Sequence, residues 1–176
     1  TLSVKHRTQI VYHTDINLAL LLLDAQPGKR FVEAGTGSGS VSTSLATAIR
    51  PGRLFSCEFH EARKFEAEKD FETYGLDDVI QMYHRDVCEA GFPEEINELD
   101  GAFFDLPKPW LAIQNIHDRL KPGARVVTFS PCIEQVQKNC SQFARMGYLD
   151  IQTFENLSKP WAVRPAGPKI KGKNAT

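Results

Sequence analysis

Short runs rich in β-branched and aromatic residues alternate along the chain with longer stretches whose apolar positions recur every three or four residues. "RFVEAG" (30–35), "RLFSCEF" (53–59), "VIQMYH" (79–84), "LDGAFFDL" (99–106), "ARVVTFS" (124–130) and "YLDIQTFENL" (148–157) read as strands. Helices are expected at 40–50, 61–74, 109–120 and 133–146, with another at roughly 15–25 that stops at Pro27-Gly28. Ile133, Val136, Cys140, Phe143 and Ala144 fall on one face of the last helix. Trp110, Ile113, Ile116 and Leu120 make a similar stripe, closed by "KPG" at 121–123. Repeated strand–helix–strand units with buried, non-alternating strands predict a doubly wound α/β domain, a mostly parallel sheet covered by helices on both faces. In such a sheet the ligand lies at the carboxyl ends of the strands, where strand order reverses. One domain is expected over 1–163, and "RPAGPKIKGKNAT" (164–176) reads as a mobile basic tail.

Composition narrows this picture only slightly. The 176 residues suit one domain with its own core, and 41% hydrophobic with 24% charged residues are ordinary globular proportions. The apolar run Leu18 to Leu23 is far too short to span a bilayer, and no basic leader with a following apolar stretch opens the chain. Cys57, Cys88, Cys132 and Cys140 form no C-x-x-C pair. Reduced thiols, mostly buried beside apolar runs, an intracellular setting and no structural zinc are therefore expected. A net charge of −1 implies that, if the substrate is a polynucleotide, another domain or chain supplies most phosphate contacts.

The chemistry concentrates in "EAGTGSGS" (33–40), at the turn between the first strand and the next helix. Gly35 and Gly37 permit a tight turn and close backbone approach, Gly39 opens the helix, and Ser40 stands where the dinucleotide fingerprint has its third glycine. Glu58 ends the second strand, where a carboxylate accepts both hydroxyls of a ribose. Asp86 and Val87 close the third strand, placed to meet an adenine by its amine and its apolar face. NAD and S-adenosylmethionine share that adenosine. Glu33, entering the loop, favours S-adenosylmethionine, because a carboxylate suits an ammonium and a sulfonium better than a pyrophosphate. Asp105, ending the fourth strand in "FFDLPKPW", faces the ligand from the same sheet edge.

Taken together, "HRTQIVYHTD" (6–15), "EAGTGSGS" (33–40), "EFHEAR" (58–63), "DV" (86–87), "DLPKPW" (105–110) and "SPCIEQVQ" (130–137) resemble the catalytic subunit of the eukaryotic tRNA (adenine-58-N1)-methyltransferase. The likeness runs over nearly the whole chain and implies a Rossmann-like class I methyltransferase domain using S-adenosylmethionine. It implies that Glu33, Gly35, Thr36, Gly37, Ser38, Gly39 and Ser40 hold the methionine part, Glu58 the ribose, and Asp86 with Val87 the adenine. Arg63 would orient Glu58, and Gln9 and Ile10, within a segment from Thr8 to Tyr12, would close over the methyl donor. Asp105 would be catalytic and also touch the cofactor. Tyr12, Leu106, Pro107, Ser130, Pro131, Gln135 and Arg164 would meet the tRNA.

The resemblance further implies a related non-catalytic partner subunit in a dimer of heterodimers, and a nuclear location. It also implies a β-rich domain before "HRTQ" and a further antiparallel strand beside the fifth, so the chain is expected to be a piece of a longer protein. Three rivals stand beside this reading: an exocyclic-amine methyltransferase, a catalytically silent scaffold of the same fold, and an NAD-dependent oxidoreductase. The first typically carries Asp/Asn-Pro-Pro-aromatic where this chain has "DLPKPW", and the second would have lost Asp105 and the glycine loop.

Overall fold

The structure is a computed structural model, and it describes residues 11–157 and 159–162. Five strands, β1 (Arg30–Ala34), β2 (Arg53–Glu58), β3 (Ile80–His84), β4 (Leu99–Phe104) and β5 (Leu120–Thr128), form one sheet in the order β3-β2-β1-β4-β5. Every adjacent pair is parallel. The order reverses between β1 and β4, which opens a crevice above their carboxyl ends.

Five helices cover the sheet: α1 (His13–Leu22), α2 (Ser40–Ile49), α3 (Glu61–Thr73), α4 (Pro109–Ile116) and α5 (Ile133–Arg145). Alternation along each strand divides the core in two. Phe31, Leu54 and Phe103 pack with Ile16, Leu45, Ile49 and Phe71 on the face covered by α1, α2 and α3. Val32, Phe55, Ala102 and Phe104 pack on the other face with Ala112, Ile113 and Ile116 of α4 and Phe143 of α5. Because both faces are covered, β1, β2 and β4 are almost wholly buried, which explains their unbroken apolar character.

Several expectations are corrected. "KPG" does not end a helix. A short 3-10 turn (His117–Arg119) follows α4, and Lys121-Pro122-Gly123 lies inside β5, where the register with β4 slips between Leu99 and Gly101. Pro122 is tolerated because β5 is an edge strand of this sheet, where a missing N–H breaks no interior ladder. The run 148–157 forms no strand; Leu149 and Leu157 are 90% and 83% exposed, so no burial rewards its alternating pattern. On α5, Ile133 and Ala144 are exposed and the buried side chain is Asn139. Of the cysteines, all free, only Cys57 is buried, because only Cys57 lies within a central strand. The segment 164–176 lies outside the described residues.

Gly101 shows how little room the sheet allows. A Cβ there would sit 2.6 Å from the Arg125 carbonyl oxygen and 2.8 Å from the Phe31 ring. Gly101→Ala is expected to destabilise the fold by about 1–3 kcal/mol, as overpacking of a close-packed interior does, read as a lowered denaturation midpoint in urea.

Candidate active site

The crevice above β1 and β4 is lined by Val11, Gly35, Thr36, Gly37, Ser38, Ser40, Val41 and Asp105. Its floor is set by backbone packing. Gly35 N–H donates to the Cys57 carbonyl, and Asp105 N–H donates to the Ala34 carbonyl, both at 3.0 Å. A Cβ on Gly35 would fall 2.0 Å from the Asp105 carbonyl oxygen, and its φ of +91° is one that side chains rarely adopt. The glycine is therefore required by the neighbouring chain as well as by the turn.

Glu58 arrives from the end of β2 with its carboxylate already held. Its Oε2 accepts from Gly37 N–H at 3.1 Å and its Oε1 from His60 N–H at 3.0 Å. Backbone amides supply both of these bonds. Asp86 closes a turn, its Oδ1 accepting from the amides of Cys88 and Glu89 at 2.9 and 3.2 Å, while Val87 is buried. Asn115 of α4 donates to the Val87 and Cys88 carbonyls, so this loop is tied to the helix that follows Asp105.

Glu33 does not enter the loop as expected; it is fully buried within β1. Alternation turns it toward the α2 side, beside its register partner Ser56 of β2. Its Oε2 accepts from Ser42 Oγ at 2.5 Å and Ser56 Oγ at 2.8 Å, and Ser56 Oγ lies 2.7 Å from Thr36 Oγ1. The Oε1 atom is buried and has no hydrogen-bond partner. Burial pushes the carboxyl up to about 7, against the two serine hydrogen bonds and helped by the charges of Asp105 and Glu58. Asp105, half-buried, is pushed up to about 6 by burial. Ser42 and Ser56 carry no signature in the sequence, since only the strand register and the α2 packing bring them to Glu33.

Asp105 lines the crevice, while Glu33 is fully buried close enough to feel the charges of Asp105 and Glu58, and among the described residues no lysine or arginine pairs with any of the three. Buried acids with no basic partner fit a ligand carrying positive charge, such as an ammonium and a sulfonium, which would favour their ionised forms, and disfavour a pyrophosphate. Among the described residues no cluster of three or more His, Cys, Asp and Glu forms a metal site.

On the acceptor side, Leu106 is half-buried beside Gly35, and the Pro107 carbonyl accepts from Gln135 Nε2 at 3.2 Å. Ser130 is half-buried at the end of β5, and Pro131 is exposed. Tyr12 caps α1 with its carbonyl and leaves its ring 72% exposed. Thr8, Gln9, Ile10 and Arg164 lie outside the described residues. Phe59, absent from the predicted set, follows Glu58 directly and is 58% exposed, an apolar face at the same sheet edge. A separate shallow groove of about 500 Å³, lined by Trp110, Glu134, Lys138 and Arg145, lies along α5 and holds none of the three carboxylates.

The Glu33 environment has a pH signature. The folded state favours the protonated acid, whereas the unfolded chain ionises near its ordinary 4.5, so this group's contribution is full below pH 4.5 and is lost as pH rises through about 7. Glu33→Gln is expected to flatten this part of the pH dependence. Thermal melts of the two proteins should agree most closely near pH 4.5, with the variant gaining relative stability up to pH 8.

Comparisons with known proteins agree with this geometry. A tRNA (adenine(58)-N(1))-methyltransferase catalytic subunit of Dictyostelium discoideum is 44% identical over 168 residues, covering 93% of this chain and 54% of that protein. Its Candida albicans counterpart is 41% identical, covering 93% and 50%. The chain spans about half the length of the curated relatives it matches. Among solved structures, a SAM-dependent O-methyltransferase from Thermotoga maritima superposes with a TM-score of 0.84 at 33% identity, covering 90% of this chain and 59% of that one. The tRNA (m1A58) methyltransferase TrmI from Aquifex aeolicus superposes at 0.72 with 28% identity, covering 82% and 57%. A five-stranded parallel sheet of the class I methyltransferase type is thereby established. The family described as the tRNA methyltransferase complex GCD14 subunit matches residues 1–172, and the chain belongs to that family.

Proposed function

We propose that this domain binds S-adenosylmethionine and that the whole protein methylates N1 of adenosine 58 in the tRNA T loop. The observation that carries the reading is the meeting of the glycine loop and Asp105 in one crevice whose acids have no basic partner among the described residues. The relatives named above support the acceptor. In this reading the cationic methionine part favours the ionised form of Glu33 buried beneath it, and Gly35 to Ser40 let it approach the backbone. Glu58 receives the ribose hydroxyls on a carboxylate already aligned by Gly37 and His60. Asp86, Val87 and Phe59 bound the adenine.

When bound, S-adenosylmethionine supplies an electrophilic methyl group. Adenine N1 already has a free lone pair at neutral pH, so the chain needs no general base to create the nucleophile. The task of Asp105 is electrostatic. Its carboxylate accepts from the N6 amine, raises electron density at N1 and opposes the positive charge of the methylated ring. The base reaches Asp105 only after leaving its stack, because N1 lies on the pairing edge. Leu106, Pro107, Ser130 and Pro131 frame that side. The family's description as a complex subunit supports a partner chain, proposed to be a related non-catalytic subunit in a dimer of heterodimers. With a net charge of only −1, the domain leaves most phosphate contacts to the rest of the assembly.

The test uses the full-length enzyme with its partner subunit and a tRNA transcript. Asp105→Asn is expected to leave S-adenosylmethionine affinity within about threefold and to lower turnover by about 100-fold or more, the range seen when one preorganised group is removed from a developing charge. Turnover within about tenfold of the parent, roughly 1.4 kcal/mol of barrier, would remove Asp105 from catalysis. In the parent, kcat/KM, which reports the free enzyme, should rise with pH through about 6 as Asp105 ionises. That limb should disappear in Asp105→Asn.

A further inference from the structure

Helix α5 turns an amide inward where its sequence pattern calls for an apolar side chain. Asn139 is 2% exposed, with Val136 and Phe143 half-buried on the same face. Its Nδ2 lies 3.2 Å from Thr128 Oγ1 and 3.1 Å from Ser130 Oγ. One turn earlier, Gln135 Nε2 donates to the Pro107 carbonyl at 3.2 Å. One helix face therefore holds two separate loops, the loop that carries Asp105 out of β4 and the loop that carries Ser130 out of β5.

Holding them is costly. Among the described residues, buried Asn139 Oδ1 and Gln135 Oε1 have no hydrogen-bond partner, and each such group loses its hydration uncompensated. A leucine at 139 would fill the space against Val136 and Phe143 without that penalty. The amide does what a leucine cannot: an N–H directed at Ser130 Oγ occupies a lone pair of that oxygen and leaves the hydroxyl hydrogen free to point elsewhere. The Ser130 hydroxyl hydrogen is then available to an acceptor other than Asn139.

We propose that Asn139 and Gln135 are positioning residues that clasp the loops 105–109 and 128–131 and so set the width and hydrogen-bonding character of the acceptor side. The ligand gauged by that width is the flat base of an RNA nucleotide, and in this respect the inference rests on the methyl-transfer reading above. The cofactor side is held by different bonds, those of Glu58, Glu33 and Asn115.

That separation provides the test. In the full-length enzyme with its partner and a tRNA transcript, Asn139→Leu is expected to raise KM for tRNA and lower kcat/KM at least tenfold. Its S-adenosylmethionine affinity by calorimetry should stay within about twofold. Combined with Ser130→Ala, the loss should not exceed that of the worse single variant, because the Ser130 hydroxyl is one of the two that Asn139 engages. An equal loss of cofactor affinity, independent addition of the two losses, or unchanged KM overturns the clasp. If Asn139→Leu does not fold, Gln135→Leu and Ser130→Ala are read in the same way, and Gln135→Leu with parental KM overturns it. If the parent enzyme does not methylate tRNA, the functional reading fails and the clasp is judged by amide hydrogen exchange in the same variants. Faster exchange at both 105–110 and 128–132 supports it, and unchanged exchange overturns it.

Discussion

The backbone of Gly35 lies directly against the carbonyl of Asp105, and both halves of the site depend on that contact. β1 and β4 are hydrogen-bonded neighbours although two other strands separate them in the chain. Their following loops leave in opposite directions, one into α2 and one into α4, and the space between them becomes the crevice. A side chain at 35 would push the two strands apart at the point where the glycine loop meets Asp105. The requirement for glycine is thus a requirement of topology, expressed at a single residue.

The second constraint is charge. Glu33, Glu58 and Asp105 are brought together by three different strands, and the fold gives none of them a basic partner among the described residues. A domain built only for stability would fill the Glu33 position with an apolar residue, as Val32 and Ala34 do on either side. A fully buried acid there costs stability once it ionises, the kind of cost common where a residue is kept for function. Ser42 and Ser56 moderate the cost by giving one carboxylate oxygen two donors.

Much of this was legible along the chain. The five strands and five helices of the structure overlap the runs that periodicity marks, although β5 begins at Leu120 inside the stretch expected to end a helix, and the glycine loop, Glu58, Asp86 and Asp105 gather at one sheet edge, because strand ends in a parallel sheet share an edge by construction. The errors share a cause. "KPG" looked like a helix stop, but its tolerance inside β5 depends on that strand lying at the edge of the sheet formed by the described residues. The run 148–157 has the alternation of a strand, yet pairing needs an edge and a register, which alternation does not supply. On α5, apolar periodicity pointed to Cys140 and Ala144, whereas the strand-end hydroxyls drew Asn139 inward.

Local pattern, then, determined the class of fold, the order of its elements and the residue types delivered to the ligand edge, because periods of two and 3.6 residues are properties of the chain itself. Tertiary structure alone decided which carboxylates feel one another, which serines and asparagine hold them or their loops, and that Glu33 lies beneath the site within the strand. Those outcomes depend on distances between segments up to seventy residues apart, and no local period encodes a distance across a sheet.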